Sequence, residues 1–184
     1  MKYYSVTEVL SPYFLLDVPQ DQRHYIERHL ETAKERGKKV HAACGSYALG
    51  LWVAPLPEEW YGYFESFKTW FDNFVDRVFF VEKRLQCDEF FFTGRLDLGV
   101  RLIDRREMVV DIKTPLQESP TWCAQLAGYE YLAIRYDDIM DGIGSMALKL
   151  DPKGASAKAI VYQYSDDDFA AFLSALNAFR YFKG

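Results

Sequence analysis

A change of hydrophobic period at Asp76 constrains the fold of this chain most. Before it, large apolar residues recur at three- and four-residue spacings typical of an amphipathic helix; they are Trp60, Phe64, Phe67, Trp70 or Phe71, and Phe74. After it come three runs rich in Val, Phe, Ile and Leu, at residues 78–87, 89–103 and 107–114, with a turn at Asp104 to Arg106. These runs predict three adjacent antiparallel strands. We expect the aromatic helix to pack on the core rather than to stack on nucleic-acid bases.

The remaining segments complete an α-β-β-β-α-β-β-α layout. Residues 19–49 predict two helices with a gap near Gly37, the second ending before Pro55 and Pro57. Residues 119–136 predict a helix, 145–151 and 157–164 two strands, and a last helix begins at Asp166. We therefore expect one α/β domain over residues 1–184, with a central mixed sheet flanked by helices.

Composition excludes several classes of protein. The chain has 184 residues, 49% of them hydrophobic, which excludes a disordered chain. Its net charge of −5 lacks the basic excess of a protein that coats nucleic acid, but bound cations would offset carboxylates in a nuclease. Three scattered cysteines form neither a disulfide framework nor a cysteine metal site. With no signal peptide and no long apolar run, we expect a cytoplasmic protein without membrane segments.

Two aspartates and a lysine form the most informative pattern. Asp111 and Lys113 are two residues apart on a strand, so their side chains leave the same face of the sheet. A hairpin centred on Asp104 places Asp97 opposite Asp111, since both lie seven residues from the centre. The sequence thus predicts a patch that holds two carboxylates and one ammonium group.

Such a patch predicts a metal site. Two adjacent carboxylates repel each other unless a cation lies between them, and oxygen ligands suit a hard cation such as Mg²⁺ or Mn²⁺. Lys113, kept charged by the two aspartates, would orient a water molecule or stabilise negative charge at phosphorus. The chemistry indicated is hydrolysis of a phosphodiester.

Four short motifs occur in a recognisable order: Gly37-x-x-x-His41, Gly94-x-x-Asp97, Asp111-x-Lys113 and Gln125-x-x-x-Tyr129. Over residues 5–135 this order resembles the RecB-like branch of the PD-(D/E)XK nuclease superfamily, which includes phage-type recombination exonucleases. The resemblance implies a restriction-endonuclease-like domain. Some members carry four cysteines for an iron–sulfur cluster; this chain has three, in unrelated places, so no iron–sulfur cluster is expected.

The resemblance also implies roles for individual residues. It implies that His41, Asp97, Asp111 and the backbone carbonyl of Ile112 bind the metal, and that Lys113 is catalytic beside the two aspartates. Glu82 would assist a second metal ion or orient a water molecule. Gln125 and Tyr129 would position the scissile strand.

Structural alternatives remain for four candidate residues. Glu82 is equally explained as a solvent-facing strand residue, and Tyr129 as a packing residue. Lys38 and Lys39 precede His41 and are candidates for phosphate contacts. The glutamates of the same helix, however, fit ordinary ion pairs four residues apart.

The function expected from these observations is a metal-dependent DNA exonuclease in recombination, repair or phage DNA processing. The alternatives are a structure- or sequence-specific endonuclease on the same fold and a catalytically silent DNA-binding or assembly module. The expected partners are single- or double-stranded DNA ends, with a single-strand annealing protein or a helicase as separate chains. The expected setting is the cytoplasm of a prokaryote, or a phage-encoded protein.

Overall fold

The chain begins with a short strand, β1 (Tyr4–Ser5), and a short helix, α1 (Val6–Leu10), followed by two long helices, α2 (Gln20–Ala48) and α3 (Glu58–Phe74). The computed structural model describes residues 2–14, 20–136 and 144–183, with the side chains of residues 20–28 outside the description. The remaining elements are β2 (Val75–Cys87), β3 (Phe92–Leu102), β4 (Glu107–Lys113), α4 (Thr121–Tyr136), β5 (Gly144–Lys149), β6 (Lys158–Tyr162) and α5 (Asp166–Lys183).

Six strands form one mixed sheet. Strand β2 lies at one edge and pairs antiparallel with β3 along most of its length. The other side of β3 pairs with β1 in parallel and with β4 in antiparallel orientation. Strand β5 runs parallel to β4 and antiparallel to β6 at the opposite edge. The predicted α/β class, with a central mixed sheet flanked by helices, is confirmed.

Helices cover both faces of the sheet. On one face α2 and α3 bury a cluster that includes Val40, Phe64, Phe67 and Trp70. On the other face α1, α4 and α5 bury a second cluster. The expectation that the aromatic stripe of α3 belongs to the core is therefore confirmed for most of its residues, but Phe74, at the end of the helix, is 49% exposed.

The predicted gap near Gly37 is wrong, because α2 is continuous from Gln20 to Ala48. A glycine weakens a helix by only about 1 kcal/mol, and the buried residues after it pack on the sheet. The helix ends at Ala48, well before Pro55 and Pro57. There Gly50 has φ 67° and donates to the Tyr47 carbonyl, while Leu51 donates to that of Ser46, which is a Schellman motif.

The predicted register of the β3–β4 hairpin is confirmed. Leu98 pairs with Val110 and Arg101 with Glu107, so the hairpin is centred on Asp104. Asp97 and Asp111 are the next two residues beyond this ladder. None of the helices in the described ranges is long and apolar enough to cross a membrane.

Candidate active site

A cleft of about 950 Å³ opens between α2 and the ends of β2, β3 and β4. Most of the predicted site residues line it: Lys38, His41, Asp97, Asp111, Ile112, Lys113, Gln125 and Tyr129. Glu82 lies next to this group, and Lys39 is on another side of α2. Residues predicted on four separate segments thus meet in one place.

Asp97 lies where β3 and β4 separate. Its Oδ2 accepts a 2.8 Å hydrogen bond from the main-chain N–H of Ile112 and lies 3.3 Å from Nδ1 of His41. Asp97 is only 7% exposed. Burial alone would raise the pKa of this carboxyl, but His41, the Ile112 N–H and Lys113 together hold it below its ordinary value. Asp97 is therefore an ionised acceptor that joins β4 to α2.

Glu82 adopts an unusual backbone conformation inside β2. Its φ of 53° lies in the left-handed region, which a non-glycine residue in a strand rarely occupies. The pairing of Val81 with Leu98 and of Lys83 with Leu96 places Glu82 opposite Asp97.

At this point the side chains of β3 change the face of the sheet on which they pack. Leu96 packs in the cluster below α4, whereas Leu98, two residues later, packs in the cluster below α2 and α3. Regular alternation would keep the two leucines on one face. The distortion lets ligand atoms of His41, Glu82 and Asp97 lie within 4.8 Å of one another. Local backbone strain of this kind is frequent at functional sites.

Asp111 and Lys113 belong to a second, adjoining group. Nζ of Lys113 lies 2.5 Å from Oδ2 of Asp111 and donates a 2.7 Å hydrogen bond to Oε1 of Gln125. Nε2 of Gln125 donates to Oδ1 of Asp111 at 3.3 Å and to the Tyr129 hydroxyl at 3.2 Å. Gln125 is buried. Its hydrogen bonds are with Lys113, Asp111 and Tyr129, while the predicted contact with a DNA strand stays a prediction.

The Tyr129 ring packs in the buried cluster beneath α4. Gly94 allows this approach, because a Cβ at that position would lie 3.1 Å from the ring. Burial raises the pKa of the Tyr129 hydroxyl well above its ordinary value, so it remains protonated. The ring therefore has a packing role, and the hydroxyl accepts a hydrogen bond from Gln125.

Each carboxylate of the site has its own cationic partner. Asp97 faces His41 at 3.3 Å, Asp111 faces Lys113 at 2.5 Å, and Oε2 of Glu82 lies 2.7 Å from Nε of Arg95. Burial raises the pKa of Asp111, with Lys113 opposing and Asp97 reinforcing that shift. The pKa of His41 is raised because the aspartates outweigh the effect of its burial.

The residues fit a small divalent cation. His41, Glu82 and Asp97 offer one imidazole nitrogen and carboxylate oxygens, a donor set that suits Mg²⁺ or Mn²⁺. Oδ2 of Asp111 is buried and accepts no aligned hydrogen bond from the described residues, despite its ion pair with Lys113. The predicted ligand role of the Ile112 carbonyl oxygen stays a prediction.

The two predicted lysines differ in position. Lys38 is exposed and lines the cleft, and it contacts no carboxylate among the described side chains. Lys39 instead pairs with Glu35 at 2.8 Å and lies over the Trp60 ring at 5.3 Å. The helix-pairing alternative therefore describes Lys39, while Lys38 is free to meet an anion in the cleft.

Arg84 and Arg95 are site residues that the sequence reasoning missed. They are directly paired across β2 and β3, both are exposed, and both line the cleft opposite Lys34 and Lys38. The sequence signal was that the two arginines lie at equal distances before and after the turn that follows Cys87, which places them opposite each other in a hairpin. Two like charges facing each other across a sheet destabilise it, which favours a role in binding anions.

No protein-family profile matches the chain, and no curated protein matches its sequence significantly.

Proposed function

We propose that this protein is a metal-dependent nuclease that hydrolyses phosphodiester bonds in DNA. One observation carries the proposal: the Asp97 and Asp111 carboxylates, His41 and Lys113 meet at the floor of a cleft whose rim is cationic. Buried carboxylates are costly unless a partner compensates them. Structural stability alone does not explain a cluster of this kind in an open cleft.

His41, Glu82 and Asp97 would hold a divalent cation, with Asp111 beside them. A cation held there would supply Lewis-acid polarisation of the scissile phosphate and make a nearby water more acidic. The Asp97 carboxylate accepts a hydrogen bond from the Ile112 N–H, which holds it between β4 and His41.

Lys113 is the residue of this chain that acts on the reacting atoms. Its ammonium group is held between Asp111 and Gln125 at 2.5 and 2.7 Å, so its position is set before substrate arrives. As a fixed cation it can donate to the attacking water or to a phosphate oxygen that gains negative charge.

The cleft favours a polyanionic substrate. Its rim carries Lys38 on α2, and Arg84 and Arg95 on the β2–β3 hairpin; Lys34 also lines it but pairs with Glu31 at 2.9 Å. These cations line the cleft although the whole chain has a net charge of −5. We assign the activity to DNA ends, as an exonuclease in recombination, repair or phage DNA processing. An annealing protein or helicase on a separate chain would supply the substrate.

The test is an assay of the purified protein with Mg²⁺ or Mn²⁺ on end-labelled DNA, single- and double-stranded, linear and circular. We expect linear DNA to release labelled nucleotides and circular DNA to stay intact. Cleavage of the circles would assign an endonuclease instead. No cleavage of any substrate with either metal would overturn the proposal and favour a silent binding module.

A further inference from the structure

Arg95 is the cationic partner of Glu82, and it differs from the other two partners in its exposure. Its Nε lies 2.7 Å from Oε2 of Glu82, and its side chain is 55% exposed, whereas the side chains of His41 and Lys113 are 23% and 12% exposed. Among the described residues, no other ion pair holds the Arg95 guanidinium. It can therefore leave Glu82 without unpacking the core.

Stability does not account for this pair. An ion pair between half-exposed side chains contributes little to folding. Arg95 also faces Arg84 directly across the strands, which costs stability. Glu82 is itself held at φ 53°, so the hairpin maintains a strained backbone where the pair forms.

The Glu82 carboxylate lies close both to Arg95 and to the candidate metal ligands His41 and Asp97. The carboxylate is within 4.8 Å of ligand atoms of His41 and Asp97, and its Oε2 lies 2.7 Å from Nε of Arg95. A divalent cation that binds among these ligand atoms competes with Arg95 for the same carboxylate. Arg95 lines the cleft, so a released guanidinium would remain in the cleft.

We infer that Arg95 is a displaceable counter-ion: it neutralises Glu82 in the metal-free protein and turns to a substrate phosphate when a divalent cation takes Glu82. Arg95 is thus a positioning residue that couples cation binding to DNA binding. The coupling to DNA rests on the proposed function, whereas the competition for Glu82 needs no DNA.

The first test is calorimetry of Mn²⁺ binding to the full chain without DNA. We expect Arg95→Ala to tighten Mn²⁺ binding by about threefold or more, the value of a partly exposed ion pair. The matched control is Arg84→Ala, which removes the same charge from the directly opposite position but leaves the Glu82 contact. It should tighten binding less, and Arg95→Lys should restore the wild-type affinity.

A double-mutant cycle isolates the contact. In a Glu82→Gln background, Arg95→Ala should change Mn²⁺ affinity no more than Arg84→Ala does. Equal effects of Arg95→Ala and Arg84→Ala in the wild-type background would overturn the inference while leaving the proposed nuclease intact. An Arg95 effect that persists in full without Glu82 would overturn it too. A wild-type protein that binds no Mn²⁺ would overturn the proposed function and this inference together.

The second test measures coupling to DNA. Ca²⁺, which should bind without supporting turnover, is expected to increase the affinity for a single-stranded oligonucleotide in the wild type, and to increase it less in Arg95→Ala. Because coupling between two ligands is reciprocal, displacement of Arg95 must affect both the metal-binding and the DNA-binding measurements. The same Ca²⁺ enhancement in the wild type and in Arg95→Ala would refute the turn toward phosphate.

Discussion

Gln125 holds Lys113 in place from the neighbouring helix. Its amide oxygen accepts from Lys113, and its amide nitrogen donates to Asp111 and to Tyr129. All of these groups are largely buried. The glutamine therefore determines where the ammonium group points, in addition to any contact with a DNA strand.

We expect Gln125→Ala to lower kcat by about 10- to 100-fold with little change in KM for DNA, because the lysine loses its alignment but the cleft keeps its charge. Steady-state kinetics on a labelled oligonucleotide measure both constants. Tyr129→Phe is the control: it keeps the ring in the core and removes only the hydroxyl, so it should have a smaller effect. A raised KM with unchanged kcat in Gln125→Ala would instead assign the residue to binding the strand.

The sequence predicted the relative positions of those site residues that lie on regular strands. Asp97 opposite Asp111 followed from the centre of one hairpin, and the structure has that register. The left-handed conformation of Glu82 was not predictable, because no glycine, proline or asparagine marks the site. For the same reason the Glu82–Arg95 pair was missed, since the distortion turns the glutamate toward its partner.

Among the elements, α2 carries His41 and Lys38 and continues to Ala48. Gly37 lies inside it, and a Cβ there would meet only Oγ1 of Thr114, at 3.8 Å. Gly37→Ala should therefore stabilise the protein by about 0.5–1 kcal/mol, because alanine favours the helix and the space is free. Chemical denaturation measures this difference.

The contrasting variant is Gly62→Ala in α3, where the new Cβ would lie 1.9 Å from the carbonyl oxygen of Pro152. The backbone has to move, so we expect a loss of about 1–3 kcal/mol. A destabilising Gly37→Ala would contradict a continuous α2.

Glu130 links α4 to β5 by accepting a 2.6 Å hydrogen bond from Ser145. Burial raises the pKa of the Glu130 carboxyl, although the Ser145 bond opposes that shift. The folded state thus favours the protonated form, and its stability contribution is present below the ordinary pKa of 4.5 and lost as the pH rises through the raised value.

Glu130→Gln should consequently gain stability relative to the wild type as the pH rises from about 4 to 7. Thermal melts at several pH values test this. Glu118→Gln is a control of opposite sign and small size, because its hydrogen bond from the exposed Lys158 lowers the pKa of Glu118. A pH-independent difference between Glu130→Gln and the wild type would refute a raised pKa for the buried Glu130 carboxyl.

Helices and strands were easier to predict than the pairing of the strands in the sheet. The runs before and after Asp104 indicated β3 and β4 because a short turn joins them, so their pairing is local. The parallel pairing of β4 with β5 joins segments separated by α4, and no short-range pattern specifies it. The continuity of α2 was missed because tertiary packing overrides the weak helix propensity of one glycine.

Over the whole molecule, the charge is unevenly distributed. A chain of net charge −5 presents Lys34, Lys38, Arg84 and Arg95 around one cleft. Sequence totals cannot reveal such a distribution, because it depends on how α2 and the β2–β3 hairpin face each other. Local cationic fields of this kind steer polyanions despite the acidic total.

The salt dependence of DNA binding should show whether Lys38 at the rim of the cleft contacts a phosphate. With Ca²⁺ present, Lys38→Ala should weaken binding and reduce the slope of log K against log salt by about 1. Lys39→Ala is the matched control, because the adjacent lysine pairs with Glu35 outside the cleft. Equal slopes for the two variants would show that Lys38 contacts no phosphate.

The rate of nucleotide release from end-labelled DNA, compared between the wild type and Asp111→Asn with Mn²⁺, tests the metal-dependent nuclease most directly. The substitution removes one carboxylate charge but almost no volume, and without metal its melting temperature should equal or exceed that of the wild type, because burial disfavours the ionised aspartate. We expect the wild type to release nucleotides and the folded variant to retain at most a few per cent of that rate. A folded Asp111→Asn protein with substantial activity would contradict the assignment of this cluster as the catalytic centre.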